Sequence, residues 1–216
     1  MVDILLKKRL QLAFLSLHTE VQAGTMRFVF LGVQGAGKGT QSKALATLLN
    51  IPHISTGDLL RQAKENETPL GLKAKEYMDK GELVPDALVL AMVRERLSQE
   101  DAQSGWILDG FPRNLYQVGA LDGLLVGMEQ PTYDRVIYLE VPDNIVIPRL
   151  LERARKEKNR TDDTLEVISK RLQIYHEETS PLIDMYKKRK LLVSVNGNQL
   201  LEAVTADVQK AVTCDD

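Results

Sequence analysis

The stretch GVQGAGKGTQ, Gly32 to Gln41, sets four glycines and a lysine within ten residues. Glycine loses more conformational freedom on folding than any other residue, so such a run marks a place where bare backbone is needed. Gly32, Gly37 and Lys38 fall at the spacing G-x-x-x-x-G-K. With no Cβ atoms in the way, successive backbone N–H groups can converge on a polyphosphate. The helix that follows points its positive end at the same anion, and Lys38 adds a full charge on the β- and γ-phosphates. A plain Gly-rich turn is the alternative. The apolar RFVFL before the loop and the helical SKALATLL after it argue against that. The residue after Lys38 is Gly39, and the hydroxyl comes one position later, at Thr40.

Two further stretches carry matching chemistry. WILDGFPRN ends an apolar run on Asp109, and a carboxylate at a strand end can hold Mg²⁺ through water. Alone, Asp109 would read as a turn-capping aspartate, and the phosphate loop reverses that preference. Arg113 follows in a loop opened by Gly110 and Pro112. The run RLLERARKEKNRTDDTLEVISKR holds Arg149, Arg153, Arg155, Arg160 and Arg171. A charge run is usually a solvated face. Here Thr161-Asp162-Asp163 breaks it with a turn signal, so it also fits a basic hairpin supplying charge for phosphoryl transfer. The three histidines have structural readings: His18 in the N-terminal segment, His53 beside a strand and His176 on a helix.

The elements that must position these residues follow from the apolar pattern. Runs of strand length fall at Phe28–Leu31, Trp106–Leu108, Val136–Val141 and Leu191–Val195, with His53–Ser55 as a short fifth. Helical patterns such as Gln41–Leu49 and Leu88–Leu97 lie between them. This alternation predicts an α/β fold, a mostly parallel five-stranded sheet with helices on both faces, and with the phosphate loop after its first strand it resembles the phosphate-loop NTPases. Ligands in such sheets bind outside the C-terminal strand ends, where the motifs stand. Ser55 or Thr56 can cap a helix starting near Gly57. Thr68 and Pro69 open a second helix, which Gly81 stops. Residues 55–84 therefore read as a small helical lobe inserted in a core domain spanning 26–216. Pro148 falls inside the helix expected from Asp143, where it would clash with the Asn144 carbonyl. A kink, or a helix that starts at Pro148, is expected.

Composition narrows the class. The 216 residues are 44% hydrophobic and 27% charged with a net charge of −2, so bulk electrostatics calls for neither nucleic acid nor an acidic membrane. One cysteine, Cys214, excludes an intrachain disulfide and a Cys-rich zinc site and fits a reducing compartment. No apolar run approaches the ~20 residues of a membrane helix. Residues 1–25 stand apart: Lys7, Lys8 and Arg9 precede LQLAFLSL, with Asp3 in the basic region and VQAGT a poor cleavage site. An upstream start ahead of Met26, or a disordered tail, is the expectation. A targeting segment and an extra packed helix are the alternatives.

Taken together, GAGKGTQ, HISTGDLLR, GELVPD, GWILDGFPRN with Gln117, RTDD and the loop at Asn196–Asn198 resemble the adenylate kinase family, from Met26 to about Val212. The resemblance implies the reaction MgATP + AMP ⇌ 2 ADP. It assigns Gly35, Ala36, Gly37, Lys38, Gly39 and Thr40 to the ATP phosphates. Thr56, Arg61, Glu82, Leu83, Val84, Gly110, Phe111, Pro112, Arg113 and Gln117 would bind AMP. Arg149 and Arg153 fall on the lid-side ATP arginines, with Arg149 against the adenine, which Gly197–Gln199 would line. Arg160 and Arg171 match the arginines bridging the phosphates. Lys38, Arg113, Arg153, Arg160 and Arg171 would be catalytic, and Asp109 would reach Mg²⁺ through water. A short lid, 152–163, without a zinc ribbon, is implied, as are a cytoplasmic, monomeric enzyme and no nucleic-acid or membrane partner. Gln34 stands where the family usually carries proline, and either Arg153 or Arg155 suits the lid role. A UMP/CMP kinase shares the architecture but tends to carry alanine at Thr56 and asparagine near Gln117. A guanine-nucleotide switch would need an N-K-x-D motif, which is missing. A nucleotide-sensing module would not need arginines from three segments.

Overall fold

The computed structural model describes residues 26–157 and 163–213; residues 1–25, Arg160 and Cys214 lie outside the described residues. Five strands form one sheet: β1 (Arg27–Leu31), β2 (His53–Ser55), β3 (Trp106–Asp109), β4 (Arg135–Glu140) and β5 (Leu192–Asn196). The order is β2-β3-β1-β4-β5 and every pairing is parallel. Side chains alternate across the strands, and in β1 and β3 both sets are fully buried. Val29, Leu31, Trp106, Leu108 and Val136 enter one core, and Phe28, Phe30, Ile107, Ile137 and Leu139 enter the other. A sheet buried on both faces is what runs without polar alternation require.

Helices cover the two faces. On the first lie α2 (Thr56–Glu65), α3 (Pro69–Asp79), α4 (Asp86–Leu97), α5 (Leu115–Gly127) and α8 (Pro181–Lys188). On the second lie α1 (Lys38–Leu49), α6 (Asp143–Lys156), α7 (Leu165–Ile174) and α9 (Leu201–Thr213). Ser55 is the cap of α2: its Oγ accepts from Asp58 N, and the helix begins at Thr56, one residue before the expected start. Thr68 caps α3 with Pro69 at its first position, as expected. Beyond α3, Gly81 takes a φ of 71°, Gly81 N–H reaches Met78 O and Glu82 N–H reaches Tyr77 O. Those two bonds close the end of a helix through a left-handed residue, the conformation glycine adopts at least cost.

The expectation at Pro148 is corrected in one respect. The helix does not start there; α6 runs unbroken from Asp143 to Lys156 with Pro148 inside it. Pro148 and Asn144 both lie on the exposed face, so water can satisfy the Asn144 carbonyl. On the opposite face Val146 and Leu150 are buried. Burying each contributes about 1.5–3 kcal/mol, enough to offset the ~3 kcal/mol cost of the proline.

The register carries the site. Phe30 pairs with Asp109, and Ser55 pairs with Asp109 on its other side. The C-terminal ends of β1, β2 and β3 therefore lie level, and the loop after β1 opens beside Asp109.

Candidate active site

Lys38 is the first residue of α1, and Gly37 before it has a φ of 97°, a left-handed value that a side chain would strain. The ammonium turns back onto its own loop, donating to Gly32 O at 2.8 Å and Val33 O at 3.1 Å. Burial pushes the Lys38 pKa down to about 8, and Arg113 and Arg153 push the same way against Asp109. Burial alone would raise the Asp109 carboxyl, yet it lies below its ordinary value. His53, Lys38 and Arg113 outweigh the burial.

Arg113 sits just beyond β3, its Nε donating to Gly110 O at 2.7 Å. Burial first, and the Arg171 charge second, lower its pKa to about 10. Perturbed cations of this kind cluster at functional sites. Thr56 Oγ1 donates to Gly110 O at 3.0 Å and so ties α2 to the same loop. Arg61 forms an ion pair with Asp58. Gln117 is buried, with Nε2 on Asp86 Oδ1 at 2.6 Å and Oε1 accepting from Arg113 N at 2.7 Å.

The α6–α7 side supplies the other cations. Asp163 is 3% exposed and takes both of them: Arg153 Nε and Nη2 at 2.9 and 2.6 Å on Oδ2, and Arg171 Nη1 at 2.8 Å on Oδ1. Arg171 Nη2 also donates to Met78 O, and Lys170 pairs with Glu82 at 2.7 Å, so α7 touches the end of α3. Arg149 donates from both terminal nitrogens to Gly197 O at 3.3 Å. Arg153 lines the cavity, whereas Arg155 is exposed.

One cavity of about 640 Å³ joins these parts. The loop residues Gly35–Thr40, Thr56, Arg61, Glu82–Val84, Gly110, Pro112, Arg113 and Gln117 all line it. So do Asp109, Arg149, Arg153, Arg171, Gly197 and Gln199. Phe111 is not among the lining residues: its side chain is fully buried in the core. Among the described residues no group of three or more His, Cys, Asp or Glu side chains could hold a metal ion. Asp109 nevertheless faces the phosphate loop, with Oδ2 3.5 Å from where a Gly39 Cβ would stand. One carboxylate, completed by water and phosphate oxygens, is a set that Mg²⁺ accepts, so these residues fit that ion.

The adenylate kinase family model matches residues 30–191. The chain is 52% identical over 186 residues to an adenylate kinase of Cyanothece sp., covering 86% of this chain and 94% of that protein. It is 54% identical over 183 residues to adenylate kinase 1 of Nostoc sp., covering 85% and 96%. An adenylate kinase of Bifidobacterium longum is 52% identical over 172 residues, covering 80% and 91%. The chain belongs to the adenylate kinase family.

Family membership leaves several side chains of this adenylate kinase fold to be found by contact alone. His53 Nε2 lies 3.0 Å from Ser42 Oγ and 3.5 Å from Asp109 Oδ2. Because Ser42 Oγ donates to Lys38 O at 2.7 Å, the imidazole nitrogen donates to Ser42. Thr179 closes a single π-turn, Tyr175–Thr179, and its hydroxyl donates to Arg113 O at 2.7 Å. Asp163 looked like a turn residue and is the buried anchor of two arginines. Among the described residues no helix is long and apolar enough to cross a membrane.

Proposed function

We propose that this chain transfers a phosphoryl group reversibly between MgATP and AMP, forming two ADP. The observation that carries the reading is the meeting of Lys38, Arg113, Arg153 and Arg171 in one cavity with Gln117 and Asp109. A phosphate monoester has its second pKa near ~6, so AMP is already a nucleophilic dianion at neutral pH. One AMP phosphate oxygen attacks the γ-phosphorus, the bond to the β–γ bridging oxygen breaks, and its electrons stay on the departing ADP. No proton has to be removed, which suits a cavity of cations. What the protein supplies is position and charge. Gly35–Thr40 would hold the ATP phosphates, Arg113 the AMP phosphate and the group in flight, and Arg153 and Arg171 the charge between them. Arg160 would join these from the short lid, 152–163. Asp109 would hold Mg²⁺ through water, and the ion, when bound, neutralises charge on the ATP phosphates. Thr56, Arg61, Glu82–Val84 and Gln117 would form the AMP pocket, and Arg149 with Gly197–Gln199 would receive the ATP adenine. A monomer is the expected state.

The test is stoichiometry. Incubated with MgATP and AMP, the purified protein should form two ADP for each AMP consumed, and with MgADP it should return ATP and AMP. Release of inorganic phosphate without matching ADP would overturn the transfer reading.

A further inference from the structure

The amide of Gln117 is held more tightly than its place on a cavity wall requires. A carboxamide offers two N–H donors and two acceptor lone pairs. Here one of each is already used inside the protein. Nε2 donates to Asp86 Oδ1 at 2.6 Å, and Oε1 accepts from the Arg113 backbone N–H at 2.7 Å. Asn114 braces the pair: its Oδ1 accepts from Gln117 N at 2.9 Å and its Nδ2 approaches the same Asp86 oxygen at 3.4 Å. A carboxylate only accepts and a backbone N–H only donates. Turning the amide over would set acceptor against acceptor and donor against donor. Gln117 is 2% exposed, so water could not relieve that mismatch. One N–H and one lone pair remain for the cavity, in one fixed order.

That order matters for a purine. The six-position edge of adenine pairs an amino donor with the N1 acceptor, whereas the 6-oxo edge of hypoxanthine pairs an oxygen acceptor with an N1–H donor. A carboxamide free to turn over can meet either edge; a fixed one can meet only one. We infer that Asp86 is a positioning residue that fixes the orientation of Gln117 and so selects a 6-aminopurine over a 6-oxopurine monophosphate. This rests on the reading that Gln117 faces the acceptor base, so the experiment separates the two.

The measurement is kcat/KM with AMP and with inosine monophosphate, its 6-oxo analogue, at saturating MgATP. It is made for the unaltered chain, Asp86→Asn, Asp86→Ser and Gln117→Ala. An asparagine can turn either oxygen or nitrogen toward Gln117, and serine is too short to reach it, so each releases the amide. Both Asp86 variants should lower the AMP-to-inosine-monophosphate ratio by roughly tenfold, about one hydrogen bond's worth. The KM for ATP should stay put. The serine variant carries the test if the asparagine variant does not fold. A ratio unmoved by both Asp86 changes but lowered by Gln117→Ala overturns the role of Asp86 and leaves the AMP pocket standing. A ratio unmoved by all three shows that Gln117 does not meet the base, and both readings fall. Equal losses with AMP, inosine monophosphate and ATP mark Asp86 as structural and also overturn the inference.

Discussion

Lys38 and Arg153 line the same cavity, yet they are held there by different means. Lys38 is placed by backbone: strand β1 ends, the loop turns at Gly37, and two carbonyls of that loop, Gly32 O and Val33 O, take the ammonium. Arg153 is placed by a charge. It shares the buried carboxylate of Asp163 with Arg171, and all three belong to the α6–α7 arm. The phosphate-loop side is therefore organised before any anion arrives. On the other side an internal carboxylate occupies the arginine faces that a phosphate would take. The difference teaches where energy is stored. The loop side carries an electrostatic penalty, seen in the lowered pKa of Lys38, and the arm side has traded that penalty for an ion pair.

The largest effect should come from Arg113, which stands between the two sides. Arg113→Ala should lower kcat by roughly 10³-fold or more, the scale of arginine contacts to a transferring phosphoryl group. Arg113→Lys should recover little, because lysine lacks the two-pronged donor geometry. More than a tenth of kcat in the lysine variant would refute that role.

Lys38→Met comes next and should split activity from stability. Transfer should fall by about 10²–10³-fold, as when a charge-stabilising donor is removed. The nucleotide-free protein should become more stable at pH 7. Lys38 has its pKa lowered from 10.5 to about 8 in the folded chain. The unfolded chain thus binds the proton more tightly, and the cost of charging Lys38 is fully present below pH 8. It fades as pH rises from 8 toward 10.5. Denaturant titration should show a gain on the order of 1–3 kcal/mol at pH 7 that vanishes near pH 10.5. A loss of stability at pH 7 would show that the two carbonyl bonds outweigh the burial.

Thr179→Val probes the link between the sides at similar volume. Losing the hydroxyl on Arg113 O should cost about tenfold in kcat/KM for AMP, with Thr179→Ser restoring most of it. Asp163→Asn tests the arm through stability. Without nucleotide its thermal midpoint should drop by about 4–8 °C, corresponding to ~2 kcal/mol in a chain of this size. Saturating ATP should close most of the gap, because phosphate replaces the carboxylate. A gap that persists with ATP would mean Asp163 keeps its arginines in the bound state. The smallest effect is expected at the N-terminus: a chain starting at Met26 should keep its activity and its midpoint, since β1 begins at Arg27.

These contrasts also explain what was legible in the sequence. The phosphate loop is local in the chain, so spacing alone located Gly32, Gly37 and Lys38, while Asp109 followed from its place at the end of an apolar run. The five strands were found from apolar runs, but their ends shifted wherever a charge was structural. Arg27 opens β1 and is buried, with Nη2 donating to Gln103 O, and Asp109 closes β3 rather than following it. The arm side depends on how α6 and α7 turn toward each other rather than on a motif. Asp163 lay in a segment that spells a turn, and nothing in the spacing says that two arginines fold onto it. Thr179 is 66 residues from Arg113, and its π-turn leaves no mark in the periodicity of the surrounding helices. His53 read as a strand residue because its partners, Ser42 on α1 and Asp109 at the end of β3, meet it only once helix and sheet have packed together.

The most direct test of the whole account is an acceptor panel with AMP, UMP and CMP at saturating MgATP. Thr56 and Gln117 border the pocket in which the acceptor base would rest. The kcat/KM for AMP should lie at least tenfold above that for UMP or CMP, a difference of about 1.4 kcal/mol. Equal turnover of UMP would contradict the adenylate reading while leaving the fold and the phosphate loop intact.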